Sequence, residues 1–193
     1  MIKYSAFDDV HDCQESFRLM LYAISNPGEI VCINKQAEKL KEDCGVLLTV
    51  ALMLLDKETS FSAVDNEAFA KTAADLTYSK QVSEKADFIF VTEKCSREDI
   101  ADIFSRATPG SLVEPHTNSV LIIAVDKFEE TSCCCLIGPG INVSKQAGLT
   151  AYAKQWIVQR DLMEYEYPTG VDIYFVTARG ELMAIPRKVR MEG

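Results

Sequence analysis

From Val46 to Leu55 every residue except Thr49 is apolar. Such a run does not alternate like a half-buried strand, and it falls well short of the roughly 20 residues that cross a bilayer. It predicts a helix from Gly45 to Leu55 that other elements cover on nearly every side. The chain must therefore build layers around it.

The rest of the pattern says what those layers are. Val10, Cys13, Phe17, Met20, Leu21 and Ile24 recur at helical spacing behind the cap candidates Asp8 and Asp9, and Asn26-Pro27-Gly28 stops that helix. Strands are expected at Glu29 to Ile33, Thr59 to Val64 and Asp87 to Val91. Asp65 or Asn66 can cap a helix through Phe69, Ala73 and Leu76, and Ser96 with Asp99 forms a capping-box pattern ahead of Ile100, Ile103 and Phe104. A polar loop from Ala107 to Asn118 follows.

Beyond that loop, Ser119 to Val125 and Ser132 to Ile137 read as strands joined closely enough for an antiparallel hairpin. Leu149 to Glu164 is a helix. Val171 to Thr177 and Leu182 to Ile185 form a second hairpin turning at Arg179-Gly180. Helices alternating with strands early and hairpins late predict one α/β domain whose sheet is mixed, with helices on both faces.

Composition narrows the chemistry. Across 193 residues, 20 Lys+Arg stand against 29 Asp+Glu, a formal charge of -9, which opposes nucleic acid and anionic membrane as partners. The start, Met1 to Ser5, runs into Asp8 and Asp9 without an apolar stretch, so a cytoplasmic protein is expected. Seven cysteines, three of them consecutive at Cys133-Cys134-Cys135, include no C-x-x-C pair, and His11 and His116 lie far from the triplet. Small hydrophobes in a reduced strand fit better than a disulfide or zinc framework.

Catalytic motifs are incomplete. Gly138-Pro139-Gly140 through Lys145 has Ser144 where a Walker loop needs glycine, so it reads as a structural strand-to-helix turn. His116, near Ser111, Thr117 and Ser119, has no nucleophile elbow with it. Asp172 interrupts the apolar run of its strand and needs a partner, for which Arg187 is the candidate. If Arg179-Gly180 is a two-residue loop, the two lie directly opposite as an exposed pair closing the hairpin's open end.

Five stretches, in order, resemble the PhnH subunit family of the bacterial carbon-phosphorus lyase system. They are Ser16-Phe17-Arg18 through Pro27-Gly28, Leu47 to Thr59, Gly138-Pro139-Gly140-Ile141, Tyr167 to Asp172, and Leu182 to Arg187. The resemblance implies a single domain with a three-layer α/β/α sandwich fold around a mixed sheet, related to PLP-dependent transferases but without the cofactor site, hence no cofactor. It implies a homodimer when isolated and a place beside PhnG, PhnI and PhnJ. Their complex transfers an alkylphosphonate to the ribose of ATP with displacement of adenine. The family's chemistry is usually placed on PhnI and PhnJ, so no catalytic residue is carried over. Arg18, Pro27, Gly28, Thr108, Pro109, Gly110, Gly138, Gly140, Asp172 and Arg187 are the family-motif or interface candidates. The alternative is a free-standing small-molecule enzyme that uses the Thr108 to His116 loop, with the Gly138 turn as an anion site.

Overall fold

The computed structural model describes residues 6–40, 44–129 and 133–192. The start at Met1–Ser5, read above for a leader, and the expected strand residue Ser132 lie outside them.

Helix α1 (His11–Ser25) leads to strand β1 (Ile30–Cys32), a short helix α2 (Asn34–Ala37) and the apolar helix α3 (Gly45–Leu54). Then come β2 (Ser60–Val64), α4 (Glu67–Thr77), β3 (Lys80–Gln81), β4 (Phe88–Val91) and α5 (Arg97–Arg106). The long loop contains one 3-10 turn, Pro115–Thr117, before β5 (Val120–Val125). The chain ends through β6 (Cys133–Ile137), β7 (Lys145–Gly148), α6 (Ala151–Leu162), β8 (Asp172–Thr177), β9 (Glu181–Ile185) and β10 (Arg190–Met191).

Seven strands form one mixed sheet in the order β1-β9-β8-β5-β4-β2-β3. Strands β8, β5, β4, β2 and β3 run parallel, while β9 is antiparallel to both β8 and β1. Helices cover both faces. On one, Met20, Val50, Ala51 and Phe69 pack on Phe61, Phe90 and Ile122; on the other, Ile100, Phe104 and Trp156 pack on Ile89, Leu121 and Phe175. The buried Thr49 donates its hydroxyl to the Gly45 carbonyl 2.8 Å away, so the one polar residue of the apolar helix costs little. Helix starts follow the expected caps: Asn66 accepts from Phe69, and Ser96 and Asp99 form a complete capping box. Asp8 supplies the first cap, accepting from the backbone of Val10 and His11 at 2.9 and 2.8 Å.

Four expectations are corrected. Strand β5 does not form a hairpin with β6. Both of its edges are taken, by β4 and β8, and β6 instead joins a second antiparallel sheet, β10-β6-β7. The uninterrupted apolar run Val120 to Val125 is the mark of a strand buried on both faces, as central parallel strands are.

The Gly138 turn is likewise a strand-to-strand connection, between β6 and β7, not an entry to a helix. Gly138 is required there by a close approach, since a Cβ would lie 2.6 Å from the Lys188 carbonyl oxygen.

The second hairpin is slipped by one residue from the expected register. Ile173 pairs with Ile185, and the loop is the three-residue Ala178-Arg179-Gly180. Gly180 has φ of +80° and donates to the Thr177 carbonyl at 3.0 Å, the arrangement in which a three-residue hairpin places glycine in the left-handed region.

Helix α1, finally, buries Asp12, Ser16, Met20 and Ala23, while Val10, Phe17 and Leu21 stay exposed. Small Ser16 and Ala23 face inward along that buried stripe. Buried Asp12 is held by the Asp8 amide at 2.8 Å and the Lys39 ammonium at 2.6 Å, so its charge is met.

Candidate functional site

Asp172 stands at the amino end of β8, and the chain beyond β9 brings Arg187 onto it. The Arg187 amide donates to Asp172 Oδ1 at 2.7 Å, Nε to the same oxygen at 3.3 Å, and Nη2 to Oδ2 at 2.7 Å. The guanidinium also donates to the Pro115 carbonyl through Nη1 at 2.5 Å and to Asn118 Oδ1 through Nη2 at 2.7 Å. Asn118 Nδ2 closes the ring onto Asp172 Oδ2 at 3.0 Å. The pair is not the exposed contact expected, since the two side chains retain only 14% and 23% of their exposure. A fork with this many directed donors fixes geometry in a way a lysine could not.

The knot fastens the loop that the sequence singled out. Thr108 exchanges backbone and side-chain bonds with Ser119, Gly110 donates to Thr108 Oγ1 at 3.3 Å, and Pro109 bridges to Asn118. The Pro109 carbonyl accepts from the Gly170 amide at 2.9 Å, and Gly170 lies against the Arg187 side chain. Thr108, Pro109, Gly110, Asp172 and Arg187 are thus brought together.

A second group forms elsewhere. A Cβ on Gly140 would touch the Pro27 ring at 3.2 Å, and one on Gly28 would touch Leu136 of β6 at 3.2 Å and Ala147 of β7 at 3.5 Å. Pro27, Gly28 and Gly140 therefore seal the turn after α1 against the small sheet, and Lys145 pairs with Glu29 beside them. Gly138 packs on Lys188 and Val189, next to Arg187. Arg18 joins neither group and lies exposed on α1.

The sequence reading missed Arg160. Its side chain is buried in α6, with Nη1 donating to the carbonyls of Ile185 and Pro186 at 3.2 and 3.1 Å and Nη2 to that of Val189. Burial pulls its pKa below the ordinary arginine value, which the neighbouring Asp161 carboxylate opposes. The signal was legible: Ala153, Trp156, Ile157 and Arg160 share the buried stripe of α6, so an arginine stood where the helix required an inward residue.

The sequence matches the profile of the family described as "Bacterial phosphonate metabolism protein (PhnH)" over residues 5–192. The chain belongs to the PhnH family. It is also 26% identical over 176 residues to a candidate C-P lyase subunit, HtxG, of Stutzerimonas stutzeri, an alignment covering 90% of this chain and 83% of that protein.

In this PhnH-family chain the candidate residues other than Arg18 are spent on internal contacts. Two cavities lie away from these candidates. One, of about 810 Å³, opens at the carboxyl ends of β4, β5 and β8 between Thr92, Val125, Thr177 and the start of α3. The other, of about 440 Å³, lies between Asp65, Gln81, Asp99 and Arg106. The Asp172–Arg187 knot sits at the opposite, amino ends of β5 and β8. The hydroxyls near His116 in sequence are engaged with backbone: Ser111 accepts from Glu114, Ser119 donates to Ala86, and Thr117 donates to Glu114. No cluster of three or more metal-ligating side chains occurs among the described residues. The cysteine triplet lies on β6 and forms no disulfide, with Cys134 turned to the core and Cys133 exposed.

Proposed function

We propose that this chain is an accessory, non-catalytic subunit of the carbon-phosphorus lyase core complex, acting beside PhnG, PhnI and PhnJ. In that role it supports transfer of an alkylphosphonate to the ribose of ATP with displacement of adenine. The carrying observation is the family match over nearly the whole chain, joined to an Asp172–Arg187 pair that holds loops together. The kinship with PLP-dependent transferases without their cofactor belongs to the same proposal, supported by the mixed sheet with helices on both faces.

A homodimer in the absence of partners is supported by the exposed Phe17 and Leu21 on α1 and Val10 just before it. Seven cysteines, an odd number with none in a disulfide, support action in the cytoplasm. No helix among the described residues is long and apolar enough to cross a membrane.

The free-standing enzyme reading draws less support. The Gly138 turn leads into a strand, so it lacks the helix N-terminus that would favour an anion. Reconstitution decides between the two. PhnG, PhnI and PhnJ are combined with ATP and methylphosphonate, with and without this chain, and adenine release is followed. Release that depends on the chain, with none from the chain alone, is the expected result. Adenine release by the isolated chain would refute the accessory role.

A further inference from the structure

The loop that the Asp172–Arg187 knot braces ends in a bare apolar tip. Val113 is 90% exposed and Leu112 is 59% exposed, side by side. The loop is nonetheless tightly tied. Ser111 donates its amide to the Glu114 carbonyl at 3.2 Å, Glu114 donates its own to Ser111 Oγ at 2.9 Å, and Arg187 holds the Pro115 carbonyl.

The neighbouring turn behaves alike. Tyr167 is 76% exposed, and the turn bearing it is tied to the loop through the Gly170 amide on the Pro109 carbonyl. On its other flank Thr169 donates to the Glu166 carbonyl at 2.6 Å and Lys188 to the Tyr165 carbonyl at 2.8 Å. Two branched aliphatics and a tyrosine, held out on ordered backbone, have little conformational freedom left to lose on binding.

We propose that the Leu112–Val113 tip and Tyr167 are the anchors by which this chain docks into an apolar pocket of another subunit, a pocket rimmed by Lys or Arg. This rests on the assembly reading above. The charge around the anchors selects the occupant. Glu114 and Glu166, each next to an anchor, are exposed and form no ion pair among the described residues. The nearby cations are committed, Arg187 to Asp172, Asn118 and Pro115, and Lys188 to Tyr165. A second copy of a chain carrying a formal charge of -9 would meet these carboxylates with its own acidity, whereas a basic rim complements them.

The test uses the full chain, affinity-tagged and co-expressed with PhnG, PhnI and PhnJ. The wild type retains the three subunits, and L112S/V113S and Y167S each retain less than a tenth as much. E114K/E166K weakens retention and reduces its sensitivity to salt. V143S, a change at a residue equally exposed on the β6–β7 turn, retains them fully. Circular dichroism melts confirm that each variant is folded, and E114K/E166K tests the surface even if the apolar variants fold poorly. A wild type that captures no subunit sinks the assembly reading. Capture by the wild type and equally by L112S/V113S, or loss in V143S, overturns the docking surface and leaves the assembly reading standing. A homodimer dissolved by L112S/V113S would also overturn it, because the occupant would then be a second copy.

Discussion

Asp172 takes three hydrogen bonds from Arg187 although the hairpin register places Pro186, not Arg187, across from it. Pro186 has no amide hydrogen, so β9 ends at Ile185 and the chain is free to turn there. The turn swings the Arg187 amide onto the carboxylate and lets the guanidinium reach past it to Pro115 and Asn118.

Removing that guanidinium leaves a mostly buried carboxylate without its countercharge, held only by the backbone amide and Asn118 Nδ2, and releases the Pro115 carbonyl. Arg187→Ala is expected to cost about 2 to 4 kcal/mol, toward the lower end of buried-pair deletions because both side chains keep some water contact. Arg187→Lys should recover only part, lacking the fork. Urea unfolding gives both numbers. A loss below about 1 kcal/mol would mean that the pair behaves as an exposed one.

What the sequence made legible follows from how local each signal was. The capping box at Ser96 and Asp99, the Asn66 cap and the buried helix starting at Gly45 depend on neighbours within a few residues, and each formed where expected. The β5–β6 hairpin failed because pairing partners are chosen by the whole sheet: β8, some fifty residues further on, occupies the edge that a short connection suggested for β6. Strands β3, β7 and β10 have two to four residues and little apolar patterning, so no periodicity announced them. The Asp172–Arg187 contact was anticipated from the need of a buried carboxylate for a cation, a need that survives a one-residue error in register because Arg187 lies beyond the strand. Asn118 and Arg160 complete the same region, and neither stood in a recognised motif.

Arg160 donates to three carbonyls, those of Ile185, Pro186 and Val189, and the Pro186 carbonyl also accepts from the Val189 amide at 2.9 Å. Arg160→Met keeps the apolar stem but removes all of the guanidinium's bonds and its ion pair with Asp161, leaving the Pro186 carbonyl only the Val189 amide. A loss of about 3 to 5 kcal/mol is expected, because one partner of a buried ionic network is removed. Hydrogen exchange should show the extra opening concentrated at Val189 and the β10 pairing with β6, the parts held by the lost bonds. Uniform loss of protection across the central strands would contradict a local role.

Cys13 should be the slow thiol. Burial, then the carboxylates of Asp9, Asp12 and Asp8, raise its pKa to about 11. At pH 8 about one molecule in a thousand then carries the reactive thiolate there, against roughly a quarter for a free thiol of pKa ~8.5. Cys32 and Cys133 are exposed. Timed alkylation with iodoacetamide, read by peptide mass spectrometry, should modify those two at least tenfold faster. Equal rates would show that α1 opens readily.

Acid should loosen the two capped helix starts first. Asp8 is held below the ordinary carboxyl value of 3.8 chiefly by the His11 and Val10 amides, and Asp99 by its bonds with Ser96. Asp12 is pushed up by burial but lowered further by the Asp8 amide and the Lys39 ammonium, with a net shift downward. A carboxyl whose folded pKa is depressed binds its proton more readily in the unfolded chain, so its stabilisation is complete above 3.8 and is lost as pH falls through the depressed value. Urea midpoints should therefore be insensitive to these three groups between pH 5 and 7 and decline below about pH 4. Asp8→Asn and Asp99→Asn should flatten that decline while lowering the neutral-pH midpoint. An acid limb unchanged in the double variant would place the titrating groups elsewhere.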